Sequence, residues 1–97
     1  MPIKGLTEQE ETIVKEILKP YFSKYDFYFY GSRVKGNFRP LSDLDILMKS
    51  NSEINLNDID EIKENFDESD LPFVVNLAYD VDEKFYNLIV CDLIKVG

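Results

Sequence analysis

The sequence predicts an α/β domain of the α+β kind, a mixed sheet of three or four strands with helices packed on it. Three observations predict it. Two stretches have apolar residues at helical spacing behind capping residues, an aromatic run ends abruptly at Gly31, and two apolar runs around residues 44–48 and 72–79 flank the second helical stretch. Seven Phe and six Tyr in 97 residues supply much of the area that a core must remove from water. A chain of this length is expected to form one domain, spanning residues 1–97, because one core uses nearly all of it.

Thr7 and Glu10 form a capping-box pair, and Ile13, Val14, Ile17 and Leu18 then recur at helical spacing before Pro20, so a helix is expected over about residues 7–19. Residues 26–30, Asp-Phe-Tyr-Phe-Tyr, read as a strand covered on both faces. Residues 31–42 hold Gly31, Gly36, Asn37, Pro40 and Ser42 and are expected to be a turn region with one short helical piece. Leu44–Met48 is the second strand. A helix capped by Asn55 or Asn57 follows, with Leu56, Ile59, Ile62 and Phe66 on one face. Pro72–Tyr79 reads as a third strand, Asp82 as the cap of a helix carrying Phe85, Leu88 and Ile89, and Leu93–Val96 as a short edge strand. The connection between the first two strands is too short for a crossover, so they should pair antiparallel. The strand-helix-strand unit from 44 to 79 should be a right-handed crossover joining parallel strands.

Composition narrows the function. The net charge of −8 argues against a DNA or RNA polymer as partner, since phosphate binding needs a basic face. No stretch approaches the roughly 20 apolar residues of a membrane span, and the first residues lack the apolar centre of a signal peptide, so a soluble, cytoplasmic protein is expected. With no His and a lone Cys91, a Cys/His zinc site is excluded, and any metal must be held by oxygen. The charge is uneven, however. From Tyr30 to Leu41 there is no acid, while Arg33, Lys35 and Arg39 fall there. Such an island suits a small anion, a nucleoside triphosphate above all, although a solvated basic loop would look the same.

The residues around that island carry the chemistry. Gly31 and Ser32 end a strand where a missing Cβ lets the backbone approach an anion, and Arg33 or Lys35 can add positive charge. Asp43 and Asp45, two apart on a strand, project from the same face with Cα atoms roughly 7 Å apart, so their carboxylates can converge on one ion. Two carboxylates at that spacing repel by about 1 to 3 kcal/mol at an effective dielectric near 20, a cost that a hard divalent cation, Mg²⁺ or Mn²⁺, would reverse.

Taken together, residues 30–48, from Tyr30-Gly31-Ser32-Arg33 to Ser42-Asp43-Leu44-Asp45-Ile46-Leu47-Met48, resemble the signature of the DNA polymerase beta-like nucleotidyltransferase superfamily, most closely its minimal nucleotidyltransferase (MNT) branch. The resemblance implies the minimal nucleotidyltransferase fold and metal-dependent transfer of a nucleoside monophosphate from a nucleoside triphosphate such as ATP. It implies that Gly31 and Ser32 hold the triphosphate and that Asp43 and Asp45 bind the metal. It also implies, as partner, a HEPN-domain toxin neutralised by AMP transfer to a tyrosine. Homo-oligomerisation is left open.

The family usually places a third carboxylate on the later strand, and alignment on Leu71-Pro72 puts Asn76 there. An amide offers one neutral oxygen to a metal but accepts no proton at neutral pH. Asp80 has the same strand parity, yet lies roughly 13 Å further along an ideal strand. The expected catalytic set is therefore Asp43, Asp45 and Asn76. Two readings follow, an enzyme that transfers AMP, and a nucleotide-binding module that neutralises its toxin by docking alone.

Overall fold

The computed structural model describes residues 5–36, 39 and 41–97. Helix α1 (Glu8–Leu18) begins with the expected capping box: Thr7 accepts from the Glu10 amide, while Glu10 accepts from the Thr7 amide. Pro20 then turns the chain into a single 3₁₀ turn, Lys19–Tyr21. Strand β1 (Asp26–Tyr30) is followed by a helical turn α2 (Ser32–Lys35), the short helical piece expected within residues 31–42. Asn37 and Pro40, also placed in that turn region, lie outside the described residues.

Strand β2 (Leu44–Lys49), helix α3 (Leu56–Asp67) and strand β3 (Val75–Tyr79) complete the crossover unit. Asn55 caps α3 through its side chain, which accepts from the Asn57 amide. Asp82 likewise caps helix α4 (Glu83–Ile89), and a two-residue strand β4 (Ile94–Lys95) closes the edge. The third strand starts later than expected, at Val75, although the Val74 carbonyl already accepts from the Leu44 amide.

The sheet order is β3-β2-β1-β4. β1 runs antiparallel to both β2 and β4, and β2 runs parallel to β3, so the mixed four-stranded sheet has the predicted pairing. Alternation along the strands divides the side chains between two faces. Phe27, Phe29, Leu44, Ile46, Met48 and Leu77 form a continuous core with Val14 and Leu18 of α1 and Ile59, Ile62 and Phe66 of α3. By the same parity, Tyr28, Tyr30, Asp45, Leu47, Lys49 and Asn76 share the opposite face. Here α4 lies: its Phe85 ring meets Tyr30 edge to face at 6.1 Å, and Lys49 Nζ sits 4.4 Å over the Tyr86 ring.

One helix expectation changes. Leu56, at the first position of α3, does not join the buried stripe of the helix but is 65% exposed. α4 buries none of its residues, and Leu88 is 73% exposed, so its apolar spacing does not mark a core face.

One buried polar junction locks α3 to the strand layer. Tyr25 donates to Asp58 at 2.6 Å and accepts from the Asn55 amide at 3.1 Å, while Lys24 lies 3.5 Å from the same carboxylate. The bond to Asp58 is the main cause that raises the Tyr25 pKa above its ordinary value. Tyr25→Phe keeps the ring and removes both bonds, leaving a buried carboxylate and the cap amide short of a partner. It should lower stability by about 1–3 kcal/mol, measured by urea denaturation.

Candidate active site

β2 occupies a central place in the sheet, and Asp45 on it has a functional neighbour on each side. Its register partner on β1 is Tyr30, and on β3 it is Asn76. All three point to the α4 face of the sheet. Asp43, two residues earlier, shares that direction. The Asn76 amide nitrogen donates to Asp43 Oδ2 at 3.0 Å and to Asp45 Oδ1 at 3.3 Å, so both carboxylates approach a single atom.

Gly31 brings the backbone of the neighbouring strand end into this group. Its φ of 85° and ψ of −158° belong to a region that only glycine occupies without strain. A Cβ built there would collide with Asp45 Oδ2, so the carboxylate rests in the space that the missing side chain leaves. The turn continues directly into α2, whose Val34 and Lys35 amides donate to the Gly31 carbonyl. The Ser32 amide, opening this turn, is of the kind that has no acceptor within its own helix. Ser32 is partly exposed.

Asp45 is half-buried, and its pKa is raised: burial is the largest cause, the Asn76 hydrogen bond opposes it, and the Asp43 charge adds to it. The same confinement acts on Tyr30, whose pKa is raised first by burial and then by the Asp45 charge. A carboxylate pair held in this way attracts positive charge. Asp43 and Asp45 direct carboxylate oxygens toward one point, both within 3.3 Å of the same nitrogen, and oxygen donors of this kind suit a hard divalent cation. The donor set therefore fits a hard divalent cation. Among the described residues no group of three or more acidic or Cys side chains gathers at one point, so the remaining ligands would have to be the Asn76 amide oxygen, water or phosphate.

The basic residues stand differently from the sequence expectation. Arg33 is only 3% exposed. Its Nε and Nη2 donate to the Ser42 carbonyl at 3.0 and 2.8 Å, Nη1 donates to the Gly5 carbonyl, and the guanidinium lies 4.0 Å over the Phe73 ring. It ties together the segment before α1, the residue preceding Asp43 and the approach to β3. Contacts of this kind hold the carboxylate loop in place, and a side chain so engaged is not directed at a phosphate. Lys35 is 3.5 Å from Asp92, a largely solvent-accessible pair worth at most about 1 kcal/mol. Arg39 is exposed, and its amide donates to Ser42 Oγ at 2.7 Å.

Sequence reading missed Tyr30 as a neighbour of the site, although its parity with Asp45 across an antiparallel pair could have signalled it. It also missed the partners of Arg33, which nothing in residue spacing reveals. A cleft at the opposite end of β2 and β3, lined by Lys49, Ser50, Tyr79, Asp80 and Tyr86 among others, contains none of the predicted site residues. Asp80 thus belongs to the far end of β3 and does not supply a third acid.

A glycine-opened turn packed against a paired carboxylate, at the end of an antiparallel hairpin flanked by a parallel strand, is the arrangement that the resemblance of residues 30–48 leads one to expect. The comparison with known proteins agrees: residues 11–96 match the family described as the nucleotidyltransferase domain, and the chain belongs to that family. It is also 40% identical over 72 residues, 74% of this chain, to a Haemophilus influenzae protein described as the probable protein adenylyltransferase MntA. The matched region spans 63% of that protein's length. Together these matches identify a minimal nucleotidyltransferase.

Two substitutions test the scaffold. Gly31→Ala should cost about 1–3 kcal/mol in stability from backbone strain and should also displace Asp45, abolishing nucleotide binding in a calorimetric titration. Arg33→Lys cannot reproduce the fork on Ser42 or the stacking on Phe73. It should lower the melting temperature, by about 1–3 kcal/mol in stability, whereas a phosphate contact would instead weaken nucleotide binding at unchanged stability.

Proposed function

We propose that this domain transfers AMP from ATP to a hydroxyl of a partner protein, and that it acts in the cytoplasm as an MNT-type antitoxin upon a HEPN-domain toxin. The observation that carries the proposal is the convergence of Asp43 and Asp45 on one point directly against the Gly31–Ser32 turn. The relative described as a protein adenylyltransferase supports AMP as the group and a protein as acceptor. The HEPN partner rests on the family resemblance of residues 30–48.

In this reading Gly31 lets the triphosphate approach the backbone, Ser32 donates its hydroxyl and first-turn amides to phosphate oxygens, and Lys35 leaves Asp92 to add charge. A divalent cation, Mg²⁺ or Mn²⁺, would be held by Asp43 and Asp45 and would neutralise charge on the phosphates. The acceptor oxygen forms a bond to the α-phosphorus while the bond from that phosphorus to the departing pyrophosphate breaks. Asn76 cannot take the hydroxyl proton. In this reading the hydroxyl proton passes to solvent water, which reaches Asp43 and Asp45.

One observation favours the second reading, a module that retains the nucleotide pocket but neutralises its partner by docking. Asn76 occupies the third corner of the site with an amide and supplies no base. The two readings separate in one experiment: purified protein, Mg²⁺, ATP labelled at the α-phosphate, and a purified HEPN-domain partner chain. Transfer predicts label on the partner, reduced at least about a hundredfold in Asp43→Ala and Asp45→Ala. A stable complex without label, unaffected by those substitutions, would overturn transfer and establish docking.

A further inference from the structure

The amide of Asn76 does more than replace an acid. Its nitrogen is placed between the two carboxylates, donating to both, which is where a cation shared by Asp43 and Asp45 would sit. Asn76 reaches this place because it is the parallel-register partner of Asp45, and because the Val74 carbonyl is bonded to the Leu44 amide, pinning the start of β3 against the residue between the two acids. The geometry is self-consistent. An NH₂ group carries two hydrogens, and the structure has one acceptor for each.

We propose that Asn76 is a placeholder for the cation: its amide holds the carboxylate pair together by hydrogen bonds and competes with metal for the same position. The inference rests on the reading of Asp43 and Asp45 as metal ligands. Charge explains why a placeholder is useful. Two carboxylates that both lie within 3.3 Å of one nitrogen repel each other, and Asp45 is partly removed from water. Two N–H donors offset that repulsion without adding a third charge. For a cation to enter, Nδ2 must give up both bonds, and the side chain then has either to rotate so that its oxygen faces the ion or to swing aside. Metal binding on this chain is thus weakened by the hydrogen bonds that must first break. A carboxylate at the same position would not donate and would attract the ion.

Asn76 is exposed near the start of its strand, so substitutions there should leave the core intact. The test is a Mn²⁺ titration without nucleotide, read by the loss of the free-ion electron paramagnetic resonance signal, for the wild type, Asn76→Ala and Asn76→Asp. Melting curves confirm that each is folded. The placeholder predicts the affinity order Asn76→Asp, then Asn76→Ala, then wild type. The alanine variant should gain roughly tenfold, about the release of two modest hydrogen bonds. The melting temperature of the alanine variant should also rise more steeply with Mn²⁺ than that of the wild type, since its carboxylates lose their internal partner. Equal or weaker binding by Asn76→Ala would overturn the proposal and make Asn76 a ligand or a bystander. A second measurement needs no change at Asn76: its side-chain NH₂ resonances should shift on Mg²⁺ addition in the wild type, and should stay fixed in an Asp43→Asn, Asp45→Asn double variant. Shifts of equal size in that variant would overturn it. If wild type and both variants bind no Mn²⁺ even with ATP present, the metal-site reading itself fails, an outcome distinct from a reversed affinity order.

Discussion

Asp45 rests against Gly31 so closely that no side chain other than hydrogen fits between them, and the other features of the site are arranged around that contact. For the carboxylate to lie there, β1 and β2 must pair antiparallel with Tyr30 opposite Asp45, and the chain must leave β1 through a positive-φ residue. The turn into α2 then begins beside the acid. The same register places the start of β3, through Asn76, on the other side. A shift of one residue in either pairing would send Asp45 into the core and Ile46 to the site, so the hydrophobic pattern of β2 fixes the chemistry as firmly as the fold.

The core supplies the rigidity that this placement requires. Phe27 and Phe29 alternate with Tyr28 and Tyr30, and Leu44, Ile46 and Met48 alternate with Asp45, Leu47 and Lys49, so one face of the hairpin is sealed beneath α1 and α3. The site face is covered only in part, by α4. On the sealed side large side chains are excluded from solvent; on the open side lie half-buried groups with raised pKa values, Asp45 and Tyr30. Charges held near apolar surroundings are costly, and the arrangement offsets that cost locally: Asn76 bonds both acids, while Arg33 anchors the loop from which Asp43 projects. The arginine has a cost of its own when buried, met by two backbone carbonyls and an aromatic face.

Much of this was legible in residue order. Capping residues Thr7, Asn55 and Asp82 announce their helices because their side chains bond amides within three residues. Strand parity announces the convergence of Asp43 and Asp45, and chain length between elements announces which strands pair antiparallel or parallel. Long-range contacts are another matter. Arg33 sits in a basic island and looks like a phosphate ligand until the fold brings Gly5, Ser42 and Phe73 around it. Lys35 finds Asp92 from the other end of the chain. The apolar residues of α4 have the spacing of a core helix, but the side of the sheet they meet carries polar groups, and Leu88 stays in solvent. Local chemistry and periodicity are written in neighbouring residues, whereas the destination of a long charged side chain depends on which distant carbonyls the fold leaves within reach.

The proposed function requires the Gly31 turn and the Asp43–Asp45 pair to form one binding site for a metal-bound nucleoside triphosphate. A crystal structure with Mg²⁺ and a non-hydrolysable ATP analogue tests this most directly. The account predicts the triphosphate over Gly31 and Ser32, with an ion joining its oxygens to the carboxylates of Asp43 and Asp45. Nucleotide seated instead in the cleft beside Lys49 and Tyr86, with no ion at the carboxylates, would contradict it.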